Sequence, residues 1–251
     1  MPMRIAFDMD GVLADLHTAY FRAAVELFPE LDRALIGSAD VGASPPEGDL
    51  APGESDMPDP SKTVAVTPKQ SEAIWARLTA TEDFWATLNE IETGAIARLA
   101  QEADARRWDV LFITSRPRSI GATVQRQSQR WLAAKGFPMP SVYVVHGSRG
   151  RIAQALALDA VVDDRPDNCL DVALESRAAA ILLWRGSPAS VPGSAKRLGI
   201  AVAPTVHACL DALIEAEASA EEGTLLDRVR RLFGLRTKKA SDLLRERNTS
   251  R

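Results

Sequence analysis

The apolar positions fall into short unbroken runs, separated by stretches with helical spacing. The first run, Ile5-Ala6-Phe7, leads straight into Asp8-Met9-Asp10-Gly11, where the glycine punctuates its end. From Asp109 the rhythm repeats, with predicted strands at residues 110–113, 142–145, 160–162, 180–184 and 200–203. Helical spacing between most of them covers residues 123–135, 151–158, 168–176 and 205–216. Short continuous apolar strands alternating with helices predict an α/β fold, a doubly wound parallel sheet covered on both faces.

The region between the first strand and the second reads differently. Residues 16–28 have helical apolar spacing, and Pro29 helps to end them. A second helix is expected from Pro68, a good first-turn residue preceded by the cap candidate Thr67. Phe84-Trp85 and Leu88 follow, then a helix near residues 93–105. This region predicts a small helical cap inserted after the first strand. The expected division is therefore a core of residues 1–15 and 106–217, a cap of residues 16–105, and a tail of residues 218–251. Residues 37–61 are rich in Gly, Pro, Ser, Asp and Glu with almost no large apolar residue. Such a stretch cannot bury enough surface to offset its ordering entropy, so a mobile loop is expected there.

Composition narrows the function classes. The 251 residues suit one domain with an insert, or two small domains. A net charge of −4 supplies no global basic field and argues against nucleic acid as a partner. Cys169 and Cys209 are far apart, without metal-ligand spacing, and read as buried small hydrophobes. No apolar run is long enough for a transmembrane segment. The first residues lack the charged and apolar regions of a secretion signal, so a cytoplasmic location is expected. Residues 224–251 carry nine Lys/Arg against three Asp/Glu, with Leu225, Leu226, Val229, Leu232 and Phe233 at helical spacing. That tail reads as a basic amphipathic helix that docks on the same chain or on another copy in a homo-oligomer, with an acidic partner or a membrane surface as the alternatives.

In doubly wound sheets ligands bind beyond the carboxyl ends of the strands. Those ends are where the chemistry-bearing residues gather. The first strand ends in Asp8 and Asp10, the second in Thr114, Ser115 and Arg116, and the strand at 160–162 in Asp163-Asp164-Arg165-Pro166-Asp167-Asn168. Crowded carboxylates repel unless a cation sits between them, and Mg2+ with its preference for oxygen ligands resolves the conflict. The set suits phosphoryl transfer to water. Asp8 is the expected nucleophile, Asp10 the general acid and base, and Thr114 a hydroxyl donor to the phosphoryl oxygens. Asp164 is the expected third carboxylate on the metal side, with Asp163 its close rival.

Asp-x-Asp-Gly-Val-Leu-x-Asp, the strand ending in Thr-Ser-Arg-Pro and the late Asp-Asp-Arg-Pro-x-Asn together resemble the haloacid dehalogenase superfamily of phosphatases, over about residues 4–215. The stretch from Asp83 through Phe84, Trp85 and Leu88 to Gly94-Ala95 resembles the cap of its 5′(3′)-deoxyribonucleotidase-like branch. The resemblance implies a Mg2+-dependent phosphomonoester hydrolase working through an aspartyl-phosphate on a nucleotide-like or other small phosphorylated substrate. It implies that the Asp10 carbonyl, not its side chain, helps to coordinate Mg2+. It also implies that a cap aromatic can stack on a nucleobase; Trp75, Phe84 and Trp85 are the candidates, with packing of the cap helices the alternative for each. Ser115, Arg116 and Arg118 are candidates for substrate contact, with surface charge at a helix entry the alternative for the two arginines.

One departure matters. Where the family usually has a lysine, the matching residue is Arg149, with Arg151 as a substitute nearby. Arginine keeps the charge and binds phosphate through two nitrogens, but it is longer and differently hydrated. The alternative for both is a solvated arginine at a helix start. Two other functions stay open: a nucleic-acid end-processing phosphatase, kept alive by the basic tail, and a non-catalytic binding or regulatory module on the same fold.

Overall fold

The computed structural model describes residues 2–31 and 66–219. The Gly/Pro-rich segment at 37–61 and the basic tail beyond 219 lie outside the described residues. Six strands form one parallel sheet: β1 (Arg4–Asp8), β2 (Asp109–Thr114), β3 (Ser141–Val144), β4 (Ala160–Asp163), β5 (Ala179–Leu183) and β6 (Ala201–Ala203). Their spatial order is β3-β2-β1-β4-β5-β6. The direction of winding reverses between β1 and β4, which opens a crevice at their carboxyl ends.

β1 is central because both of its edges are paired. Phe7 lies opposite Phe112 of β2 on one side and Val162 of β4 on the other. The two-residue period sends Ile5 and Phe7 into one apolar layer, with Phe112, Val162, Leu210 and Leu213. Ala6 points into the other layer, with Leu111, Ile113, Val161 and Val172. A strand buried on both faces needs apolar residues at every position, which is the pattern read from the sequence.

The helices start where capping residues allow. α1 (Leu16–Leu27) begins at Asp15, whose carboxylate accepts from the Thr18 N–H at 3.0 Å. α2 (Pro68–Thr79) has the expected Thr67 cap, completed by Gln70 as a reciprocal capping box. A short 3-10 turn (Phe84–Ala86) and α3 (Ala95–Arg106) complete the insert between β1 and β2. Then come α4 (Val124–Ala134), α5 (Arg149–Ala155), α6 (Pro166–Glu175), α7 (Gly193–Leu198) and α8 (Val206–Ala218). The six-residue α7 and the turn at Pro188–Ser190 were not expected from the sequence, since neither is long enough to establish a period. α3 lies against α8 through the Arg98–Asp211 pair and through Arg106, which meets Glu217 at 3.0 Å.

The insert is tied to the sheet domain on two sides. Near the crevice, the Asp15 N–H meets the Asn89 carbonyl at 2.9 Å, and the Ile91 N–H meets the Leu13 carbonyl at 2.9 Å. Arg185, just past β5, donates to the carbonyls of Gly11 and Val12 and pairs with Glu92 at 2.7 Å. On the other side, the loop after β2 holds the 3-10 turn. The Ile120 N–H reaches the Thr79 carbonyl at 2.9 Å, the Asp83 N–H reaches the Ile120 carbonyl at 2.8 Å, and the Trp131 indole donates to the Leu88 carbonyl at 2.7 Å.

Candidate active site

The crevice at the ends of β1 and β4 gathers the acidic residues. After Asp8 the chain turns sharply, with the N–H groups of Leu13 and Ala14 both on the Met9 carbonyl and Gly11 at φ +83°. That turn brings Asp10 over the end of β2. On the other side, Asp163 closes β4 and Asp164 begins the turn into α6. Asp164 packs directly against Gly11. A Cβ at that position would meet the Asp164 carboxylate carbon at 2.6 Å.

Arg149 is the first residue of α5 and is buried. Its Nη2 lies 3.5 Å from Asp8 Oδ1 and its Nε 3.8 Å from Asp163 Oδ2. Nε and Nη1 are buried without a hydrogen-bond partner. Arg151, two residues on, is exposed and pairs with Glu175 at 3.5 Å. The solvated-arginine alternative therefore describes Arg151, and Arg149 is the guanidinium in the crevice. Gly150 lets this happen: a Cβ there would meet the Asp171 carbonyl carbon at 2.7 Å, so only glycine lets α5 approach α6 this closely.

The two rival carboxylates are in different circumstances. Asp163 is fully buried and satisfied: Asn168 Nδ2 donates to both its oxygens, at 2.9 and 3.1 Å, and the Arg165 N–H donates at 2.9 Å. Asp164 has a buried oxygen, Oδ1, without a partner. A carboxylate oxygen left bare in this way suits a cation, so Asp164 is the better placed of the two.

Electrostatics agree. Burial, reinforced by Asp163 and opposed by Arg149, pushes the Asp8 carboxyl well above the usual range, and Asp164 and Asp10 add to the rise. Burial raises Asp163 too, against the pull of Arg149, the Arg165 N–H and the Asn168 amide. Burial and the neighbouring Asp163 push Asp164 up to about 8. Among the described residues no three acidic, histidine or cysteine side chains stand ready to hold a metal by themselves. Mg2+ does not need such a cage, since it keeps waters and is bound through one or two carboxylates plus substrate phosphate. Asp8 and Asp164 fit that requirement.

These shifts have a testable consequence. Asp164 holds its proton to about pH 8 in the folded protein, against about pH 4 in the unfolded chain. Between those values the folded state binds more protons, so stability falls as pH rises. The metal-free protein is expected to melt at a lower temperature at pH 8 than at pH 6. Mg2+ is expected to raise the melting temperature more at pH 8, measured by scanning fluorimetry. Indifference to Mg2+ at both pH values would remove Asp8 and Asp164 as ligands.

The remaining candidates occupy the β2 side. Thr114 and Ser115 are both buried, and Thr114 Oγ1 donates to Asp10 Oδ2 at 3.4 Å. Arg116 does not face an open substrate space, contrary to the sequence expectation. It is 1% exposed, and its Nε and Nη2 each lie 2.7 Å from an oxygen of Asp10. For Trp85 the packing alternative describes the structure. It is fully buried, and its ring lies over the Arg116 guanidinium at 4.7 Å, so that face is already covered. Phe84, also buried, stands edge-on to Trp85 at 4.8 Å. Periodicity and motif spacing carried no information on this pairing, because it depends on how the insert folds back. Asn168 was also missed as a site residue. Its place in the first turn of α6, five residues after Asp163, was the sequence clue.

A cavity of about 240 Å3 lies between α1 and α2, lined by Asp15, Thr18, Arg22, Arg77, Phe84 and Asn89 among others. None of the crevice carboxylates lies on its wall.

Comparison with protein-family models and with curated proteins gave no match. Solved structures do resemble the chain. A HAD family hydrolase from Deinococcus radiodurans R1, with phosphate and sodium bound, matches with a TM-score of 0.51 at 19% identity, over 86% of this chain and 96% of that one. A hydrolase from Pseudomonas syringae matches at 0.47 and 15% identity, over 86% and 99%. A haloacid dehalogenase-like hydrolase from Streptococcus pneumoniae matches at 0.44 and 11% identity, over 84% and 97%. The chain has the Rossmann-like α/β fold of haloacid dehalogenase-type hydrolases.

Proposed function

We propose that this chain is a Mg2+-dependent phosphomonoester hydrolase of the haloacid dehalogenase superfamily, acting on a small phosphorylated metabolite such as a nucleotide. The meeting of Asp8, Asp164 and Arg149 in one crevice at the reversal between β1 and β4 carries the reading. The fold shared with the Deinococcus hydrolase, itself solved with phosphate and sodium, supports it.

In this reading Asp8 attacks phosphorus, and the P–O bond to the leaving group breaks as the aspartyl-phosphate forms. Asp10 gives the leaving oxygen a proton, then takes one from the water that hydrolyses the intermediate. Both Asp10 oxygens bond to Arg116, yet each carboxylate oxygen keeps a second lone-pair direction for this exchange. Arg149 offers its unpartnered Nη1 to a phosphoryl oxygen, and the Thr114 hydroxyl supplies a further donor. Bound Mg2+, held by Asp8, Asp164 and the Asp10 carbonyl, would neutralise phosphoryl charge. The insert, as a cap, would exclude water and select the substrate.

Turnover of p-nitrophenyl phosphate with and without Mg2+ tests the proposal, and a metabolite phosphate panel then assigns the substrate. Arg149 gives a sharper check. Arg149→Ala is expected to lower kcat/KM by about 100-fold or more, because it removes the guanidinium beside the nucleophile. Arg149→Lys keeps the charge but loses the guanidinium fork, so its rate is expected to fall between those of wild type and Arg149→Ala. Equal rates for wild type and Arg149→Ala would take this residue out of the phosphate site.

A further inference from the structure

We propose that Arg116 is a positioning residue for Asp10, and that Trp85 and Ser128 hold Arg116 in that role. The aromatic pair of the insert would then govern the direction of the acid–base carboxylate instead of meeting a substrate ring. The inference rests on the phosphatase reading for the role it gives Asp10.

The geometry is that of a fixed fork. Nε and Nη2 of Arg116 each lie 2.7 Å from a different oxygen of Asp10. Neither side chain reaches solvent: their exposures are 0% and 2%. Two desolvated charges persist together only when the geometry is good and the remaining donors are satisfied. Here they are. Nη1 donates to Ser128 Oγ at 2.8 Å, and the flat face of the guanidinium is covered by the Trp85 ring.

Trp85 is itself immobilised. Its indole N–H donates to the Pro117 carbonyl at 2.9 Å, and its backbone N–H donates to Gln127 Oε1 at 3.0 Å. Gln127 is held in turn by the Ala122 carbonyl at 2.6 Å and by the Ser119 hydroxyl at 3.0 Å. Edge, tip and face of the guanidinium are all committed within the protein. The plane of the Asp10 carboxylate is thereby set by a residue on β2's exit loop and by a ring more than 70 positions away in the chain. A cap segment that shifted Trp85 would release Arg116, and Asp10 with it.

The experiment measures kcat and KM separately for p-nitrophenyl phosphate at saturating Mg2+. Arg116→Lys keeps the charge but loses the fork, and should lower kcat about 30-fold or more while KM stays within about threefold. Trp85→Leu should lower kcat about 10-fold, with Trp85→Phe restoring it to within about threefold, because the phenyl ring still covers the guanidinium. Ser128→Ala is the milder variant should a Trp85 substitution fail to fold, and its kcat should also fall.

A rise in KM with kcat preserved would instead make Arg116 a substrate contact and overturn the proposal. So would a lower melting temperature with unchanged kcat per folded molecule. A second arm needs no turnover: crystal structures of wild type and Arg116→Lys should differ in the orientation of the Asp10 carboxylate. An unchanged orientation overturns the proposal regardless of kinetics. Absence of hydrolysis by wild type, together with the reoriented carboxylate, would overturn the phosphatase reading and leave the positioning role standing.

Discussion

Asp8→Asn is expected to abolish turnover while the fold survives. The amide is nearly isosteric with the carboxylate, and its oxygen can still accept from Arg149 Nη2, now 3.5 Å from Oδ1. What it lacks is the nucleophilic oxygen that would bond to phosphorus. A loss of at least about 1,000-fold in kcat is expected, the scale on which removal of a catalytic nucleophile operates. Stability should move the other way. Asp8 sits in a crevice where burial and the charges of Asp163, Asp164 and Asp10 all oppose its ionisation. Replacing it with a neutral group removes that repulsion, so the metal-free variant should melt at or above the wild-type temperature at pH 8. A variant that melts normally and retains turnover would transfer the nucleophile role elsewhere. A variant that loses both would say that the carboxylate is structural.

The split between what could and could not be read in advance follows the range of the interactions. The inner strands β1, β2, β4 and β5 were legible because they are continuous apolar runs buried on both faces, and the order of the winding then put Asp8, Asp163 and Asp164 at one place; the edge strand β3, with Ser141 and Tyr143 exposed, was legible only by its short apolar run. Arg149 was reached by counting back from the acidic pair, and its isolation from solvent follows from Gly150, whose missing Cβ lets α5 close on α6. The capping box of α2 was half legible: Thr67 was read as the cap, but the return bond from Gln70 was not. The fate of Arg116, Phe84 and Trp85 was hidden. A guanidinium next to a strand end can face substrate, solvent or a neighbouring carboxylate, and only the path of the insert decides. That path depends on tertiary hydrogen bonds such as the one the Ala122 N–H donates to the Asp83 carboxylate at 2.7 Å, between segments far apart in the chain. No periodicity records such a bond.

Gly11→Ala is the change that separates a metal-centred crevice from a merely acidic one. Gly11 has φ +83°, a conformation that alanine adopts only with strain. Sterics add to this, because the new methyl would overlap the Asp164 carboxylate. Asp164 cannot retreat freely, since it is followed by Arg165, whose N–H is bonded to Asp163 at 2.9 Å. The loop must shift or Asp164 must swing away, and either movement separates it from Asp8. Loss of hydrolysis by about 100-fold or more is therefore expected, on the scale by which small displacements of reacting groups act. The diagnostic is how the loss responds to metal. If Asp164 holds Mg2+, the variant should need a much higher Mg2+ concentration for half-maximal rate and should lose the melting-temperature rise that Mg2+ gives wild type. Asp164→Asn should reproduce that metal requirement without the backbone strain, melting higher than Gly11→Ala. A Gly11→Ala protein that is slow yet keeps the wild-type Mg2+ dependence would place the metal away from Asp164 and return the choice to Asp163.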